Sequence, residues 1–312
     1  MKPGLAELLN RYTRLPVQAR ASICSFVLLI MLSPAVFAAA PESDPAQGAT
    51  LELGVAPFLP VRTFAKNYQP MREYLDLHLK QPVIFVTAPD YKIFHERSLR
   101  HEYPVIITVA NAAYLAYTEA GYVPMLRPMV NTCPVIVVPV NSRLKQVQDL
   151  RGKTVALPEP LAMIAMQSAQ LLLEFGLEPG KDVILKHLPN HSAAVNHVIA
   201  GEAAAAIVSD RALLQMPAAT QAGVRTIYTW KKGAVPGVVY LASPVLQPKR
   251  IAQLTGMLLE FSRDTPEGRE LMKKLGYEGL VPATGQDLEP LSTYGEMFRK
   301  AIIETSAKEK SE

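Results

Sequence analysis

Asp149-Leu-Arg-Gly-Lys-Thr-Val-Ala-Leu-Pro158 and Gly201-Glu-Ala-Ala-Ala-Ala-Ile-Val-Ser-Asp210 bracket the stretch that decides the fold. Between them lie an apolar helical run over 161–175, a second strand and a helix starting near His191-Ser192. Short buried strands alternating with helices predict a parallel sheet flanked by helices. Ligands on such sheets sit past the carboxyl ends of the strands. Here those ends carry Pro158-Glu159-Pro160 and Ser209-Asp210.

Working outward, the sequence before this stretch repeats a strand-helix unit three times. Strands are predicted over 51–56, 83–87 and 105–109, with helices over 65–79, 93–99 and from Asn111 to Gly121. In the first helix Met71, Tyr74, Leu75 and Leu79 recur at helical spacing. A strand follows over 123–127. The apolar, β-branched run 135–140, bracketed by Pro134 and Pro139, reads as a crossover into a second lobe, and 238–242 reads as the return. The second lobe is predicted to hold strands over 154–157, 183–186, 203–208 and 226–228. Helices over 248–262, 266–275 and 288–305 then close the chain on the first lobe. The expected fold class is α/β: two lobes, each an open, mostly parallel sheet flanked by helices, joined by two crossover strands. Lobe 1 is assigned 51–133 and 241–312, and lobe 2 is assigned 134–240. Both sets of strand ends then face one cleft, which closes by hinge motion.

Residues 1–38 read as a secretory signal peptide: a basic region to Arg20, an apolar core from Ile23 to Phe37, then Ala38-Ala39-Ala40. Residues 39–50 read as a flexible leader. The apolar core is interrupted by Ser33-Pro34 and is shorter than the ~20 residues a spanning helix needs, so no membrane insertion is expected after cleavage. The net charge of +4 comes mostly from this segment. Without its four basic residues and one acidic residue, 28 Lys and Arg face 27 Asp and Glu. That balance gives no electrostatic case for nucleic acid as a partner. Cys24 lies in the signal core and Cys133 is alone beyond it, so no internal disulfide forms in the mature chain. Cys133 reads as a structural thiol.

At this point the chain resembles the periplasmic solute-binding proteins of phosphate, phosphite and phosphonate importers, which have the type II periplasmic-binding-protein fold. The residues that carry the resemblance are Ala88-Pro89-Asp90-Tyr91, Asn111-Ala-Ala-Tyr-Leu-Ala, Asp149-Leu-Arg-Gly-Lys-Thr-Val-Ala and the segment from His191 to Asp210. It implies a tyrosine at the ligand matching Tyr91, a histidine matching His191, and an acidic residue for which Asp210 is the nearest candidate, with Arg211 next to it. It also implies a Ser/Thr-rich loop cradling phosphoryl oxygens just after Pro160. Here the sequence departs from the family, with Leu161-Ala-Met-Ile-Ala165 in that place. An aromatic expected near the end of the third strand is replaced by Val109-Ala110. Losing two or three charge-assisted hydrogen bonds, roughly 1.5–3 kcal/mol each, puts the family's usual ligand in question. Arg62 and Arg211 are available to grip an oxyanion instead.

Each candidate binding residue has a structural alternative. Phe58 and Arg62 follow the first strand at a cleft wall, or form a Pro-rich turn packed on the lobe. Tyr91 contacts a ligand, or caps the core with its hydroxyl wet. Asn111 donates to a ligand, or serves the start of its helix as an N-cap. Glu159 binds a cationic group such as the amine of an aminoalkyl phosphonate, or is an exposed loop carboxylate. His191 donates to an oxyanion near neutral pH, or caps its helix. Asp210 binds ligand, or belongs with Ser209 to a helix cap. Trp230, followed by Lys231-Lys232, is a lid or a buried anchor.

Gly152-Lys153-Thr154 ends like a nucleotide-binding loop, but Val147 holds the place of its first glycine and a strand follows. His187, His191 and His197 cannot share one helix across Pro189, so no metal is expected. No catalytic set assembles and no cofactor is expected. The expected function is capture of a small anionic, phosphonate-, phosphite- or phosphate-like solute by a periplasmic monomer that delivers it to an inner-membrane ABC permease. The alternative is a ligand-sensing module for a membrane sensor kinase or chemoreceptor.

Overall fold

The computed structural model describes residues 50–309. The expected signal peptide and most of the leader lie outside the described residues. Two sheets organise the chain. The larger contains β1 (Leu51–Val55), β2 (Val83–Val86), β3 (Val105–Thr108), β4 (Val123–Pro128), β10 (Val239–Ala242) and β11 (Leu280–Pro282), in the order β11-β4-β10-β3-β1-β2. The smaller contains β5 (Pro134–Pro139), β6 (Thr154–Leu157), β7 (Ile184–His187), β8 (Ala205–Ser209) and β9 (Val224–Thr229), in the order β7-β6-β8-β5-β9. No helix among the described residues is long and apolar enough to cross a membrane.

Both sheets follow one plan. Three parallel strands form one side: β2-β1-β3 in the larger sheet and β7-β6-β8 in the smaller. The crossover strand then lies antiparallel against that trio, β10 on β3 and β5 on β8. A chain that crosses from one lobe to the other enters from the opposite end, so the crossovers run against the βαβ strands. Strand β11 is too short to show a period in the sequence, and only its pairing with β4 makes it a strand. The connecting segments are themselves joined, with Thr132 and Val235 exchanging backbone hydrogen bonds of 2.8 and 3.1 Å.

Helix α1 (Val61–Leu79) follows β1 and begins earlier than hydrophobic spacing suggests, because Pro60 turns the chain directly into it. Its buried Phe64, Asn67, Tyr68, Met71 and Leu75 recur at three- and four-residue steps, the spacing of one helical face. Helices α2 (Tyr91–Leu99) and α3 (Ala110–Ala120) complete the first units. The second lobe carries α4 (Met163–Glu174), α5 (His191–Ile199), α6 (Asp210–Leu214) and α7 (Ala218–Ala222). Helices α8 (Pro248–Asp264), α9 (Pro266–Leu275), α10 (Gly285–Leu288) and α11 (Ser292–Glu309) close the chain, with α8 and α9 on α1 and α11 on α3.

Strand β5 shows why the smaller sheet is buried on both faces. Ile136 and Val138 join Val155, Leu157 and Ile207 in one cluster, while Val135 and Val137 join Ala156, Ala206 and Val208 in another. The alternation follows the two-residue side-chain period of a strand. Each fully buried Val or Ile contributes roughly 1.5–3 kcal/mol, so a one-residue slip in register is strongly disfavoured.

Candidate functional site

A cavity of about 30 Å³ lies between the two lobes, room for one or two waters. Strand ends and connecting segments build it. Phe58 comes from the loop after β1, Val109 from the end of β3, Thr132 and Val238 from the two connections, and Met163 and Ile164 from the start of α4. Ser209 and Arg211 flank the end of β8, His191 opens α5, and Gln215 and Tyr277 close the remaining side.

Asp210 anchors the polar wall from behind. Its Oδ1 accepts hydrogen bonds from Thr132 Oγ1 (2.6 Å), Cys133 N (3.0 Å) and Arg211 N (2.8 Å). Ser209 Oγ lies 2.7 Å from Thr132 Oγ1 and accepts from Ala212 N, so Ser209 is the N-cap of α6. These bonds fix the end of β8 to the first connecting segment. They also occupy Asp210 Oδ1, while Oδ2 lies 3.6 Å from Arg211 Nε.

Arg211 is the cation of the cavity. Its Nε is buried without a hydrogen-bond partner. Gln215 is 4% exposed and its Oε1 is also unpartnered. The hydroxyls of Tyr68 and Tyr240, on residues with no exposed surface, share that condition. Burial first, then the neighbouring phenols Tyr240 and Tyr277, raises the pKa of Tyr68, burial and Tyr277 raise that of Tyr240, and Tyr277 is itself raised by burial. These phenols therefore remain protonated donors at neutral pH. An unpaired buried polar atom costs about 1–3 kcal/mol, and two such atoms on residues lining one cavity point to a polar occupant.

His191 is 4% exposed, and burial lowers its pKa to about 4. It is neutral at pH 7. Its Nδ1 accepts from Ser209 N at 3.3 Å, which leaves the ring proton on Nε2. The other two histidines go elsewhere, His187 to Pro158 O and His197 to Glu202.

Of the residues singled out from sequence, Phe58 and His191 line the cavity, and Asp210 braces its wall. Tyr91 is 1% exposed at the start of α2, with its hydroxyl buried and unpartnered and its N–H donating to Glu159 Oε1 at 3.1 Å. Asn111 is fully buried inside α3, where the N-cap is Val109. Its amide donates to Leu161 O at 3.0 Å and reaches Met166 Sδ at 3.3 Å. Glu159 and Asn111 thus both tie the β6–α4 loop to the first lobe, and Asn67 Nδ2 on Gln215 O at 3.1 Å ties the end of α6 to α1. Arg62 stands apart, exposed on α1 in an outer depression with Lys66 and Arg72. Trp230 is 2% exposed in the second-lobe core, and Lys232 pairs with Glu174.

Leu161, Ala162, Met163, Ala165 and Met166 are all buried in the core cluster of the first lobe. The loop expected to carry hydroxyls is an apolar plug across the cleft. Sequence reading missed Tyr277, Gln215, Thr132 and Tyr240 at or behind the cavity. They come from separate segments with no shared motif, and only chain folding brings them together.

Burial raises the pKa of Glu159 to about 7, against the opposing pull of the Tyr91 N–H. The native state then holds a proton that the unfolded chain has released. Stability from this group is full below about 4.5 and is lost as pH rises to about 7. His191 acts with the opposite sign, losing stability as pH falls from 6.5 toward 4. Glu159→Gln is therefore expected to match the wild type at pH 4 and exceed its stability at pH 8 by about 1–3 kcal/mol. Urea melts at the two pH values check this, and equal differences at both would reject it.

Comparison with known proteins gives three findings. Residues 53–288 match the family described as ABC transporter, phosphonate, periplasmic substrate-binding protein. The chain is similar to the structure of PhnD1 from Prochlorococcus marinus in complex with methylphosphonate, at 11% identity and TM-score 0.70, covering 80% of this chain and 98% of that one. It is also similar to a binding protein component of an ABC phosphonate transporter from Pseudomonas aeruginosa, at 12% identity and TM-score 0.69, covering 85% and 94%. No curated protein matches the sequence.

Proposed function

Because the chain belongs to the family of periplasmic substrate-binding proteins of phosphonate ABC transporters, we propose that it captures a small oxyanion in the cavity between its lobes for an inner-membrane permease. The family binds substrate without transforming it, so closure around the solute is the whole mechanism. The structures similar to this chain include one holding methylphosphonate, which supports a small phosphonate-like ligand. Membership of a periplasmic family supports a periplasmic location, and residues 1–38 are proposed as the signal that takes the protein there.

The observation that carries this reading is the Arg211 guanidinium at the cavity, whose Nε is buried without a hydrogen-bond partner. Arg211 supplies the charge and a planar set of donors suited to an oxyanion. Tyr277 and neutral His191 supply further donors, and the uncapped start of α4 adds free backbone N–H groups. Asp210, Asn111 and Glu159 act as braces: the first holds the anion wall, and the other two hold the lobes against each other. Tyr91 is proposed to act through its N–H, as the seat of Glu159.

A ligand that binds only the native state raises apparent stability by about 2.7 kcal/mol at a hundredfold excess over Kd. A panel of phosphonates, phosphite, phosphate, sulfonates and short carboxylates is therefore expected to include at least one compound that raises Tm by several degrees. A flat response across the panel rejects capture of a small oxyanion.

A further inference from the structure

The cavity lining mixes two chemistries. Phe58, Val109, Met163, Ile164 and Val238 are apolar, and Thr132, His191, Ser209, Arg211, Gln215 and Tyr277 are polar. Building on the capture reading above, we propose that the preferred solute is a compact monoanion with a short, uncharged apolar tail, an alkanesulfonate in charge and shape, rather than a phosphate dianion or an aminoalkyl phosphonate.

Charge counting carries the argument. Arg211 is the one charged side chain in the lining among the described residues. Part of its charge already faces Asp210 Oδ2 at 3.6 Å. His191 is uncharged at neutral pH, and the tyrosine hydroxyls donate without adding charge. This wall therefore offers at most one positive charge to an anion. A second negative charge would be buried without a counter-ion, which is strongly unfavourable in a desolvated site.

The same count excludes an ammonium group. No Asp or Glu lines the cavity among the described residues. Asp210 Oδ1 is filled by three donors, and Glu159 faces the Tyr91 N–H. An amine at the end of the tail would meet Phe58 and Val238, where it has no partner. The substitution of Leu161–Ala165 for hydroxyls fits this reading. Fewer donors suit an anion with one delocalised charge, and the apolar side chains suit a tail.

The test is calorimetric titration of the wild-type protein with ethanesulfonate, ethylphosphonate, 2-aminoethylphosphonate and inorganic phosphate at pH 6 and 8.5. Ethanesulfonate is expected to bind at least tenfold more tightly than 2-aminoethylphosphonate or phosphate at both pH values. Ethylphosphonate is expected to weaken severalfold as pH rises and its second proton leaves. Phosphate or 2-aminoethylphosphonate binding as tightly as ethanesulfonate, or ethylphosphonate tightening with pH, overturns the monoanion proposal and leaves capture standing. Binding by none of the four overturns the monoanion proposal, and the wider panel above then decides the capture reading.

Discussion

Arg211→Gln is expected to weaken oxyanion binding by about 30- to 4,000-fold, the range of 2–5 kcal/mol that follows loss of one partner from a buried charge pair. The fold should survive. Asp210 keeps its bonds from Thr132 Oγ1, Cys133 N and the residue-211 N–H, so removing the guanidinium leaves no stranded carboxylate oxygen at Oδ1. Arg211→Lys keeps the charge but loses the planar fork, and is expected to fall between the two. Calorimetry reads the affinity, and thermal melting without ligand reads the fold. An unchanged Kd in Arg211→Gln would remove the guanidinium from the binding site.

Trp230→Ala is expected to destabilise the protein by about 3–5 kcal/mol, the cost of emptying a large aromatic site in a packed core. The indole is 2% exposed among the residues of the second-lobe core. Its Nε1 donates to Glu174 Oε2 at 2.9 Å, so truncation also strips a carboxylate of a donor. The ring lies over Gly233, where an added Cβ would stand 2.2 Å from it. That contact explains the glycine: any side chain there would displace the indole. A lid would behave differently, with ligand affinity falling and stability holding. Urea denaturation followed by circular dichroism, paired with titration of the folded variant, separates the two roles.

Trp230 also shows where sequence reading stops. A lone tryptophan before two lysines fits a mobile cover as well as an anchor, and no local pattern chooses between them. The partners that bury it come from β5, β6 and β8, as far as about a hundred residues away. Asn111 makes the same point. Before a helix it has the look of a cap, yet it sits inside α3 and spends its amide on Leu161 O in the other lobe. Glu159 reads as an exposed loop carboxylate or a cation site, and its tertiary place on the Tyr91 N–H makes it a brace. Arg62 and Arg211 look interchangeable as spare cations. The exposed first turn of α1 takes Arg62 outward, while the turn into α6 takes Arg211 into the cleft.

The sequence by itself determined the fold. The apolar alternation of β5, the strand at Thr154–Leu157, the run into Ser209-Asp210 and the spacing of α1 are local patterns, each set by a strand or helix period, and their order selects a two-lobed α/β architecture. It also determined that the usual hydroxyl loop is absent, because that is a matter of which residues stand at 161–165. Only the tertiary structure decided what fills the gap. Those residues became part of the first-lobe core, and the donors came instead from Arg211, Tyr277 and His191. The physical reason is range. Backbone periods act over a few residues and are written in the chain, whereas a binding site is a balance of charge and desolvation among side chains that meet only after folding.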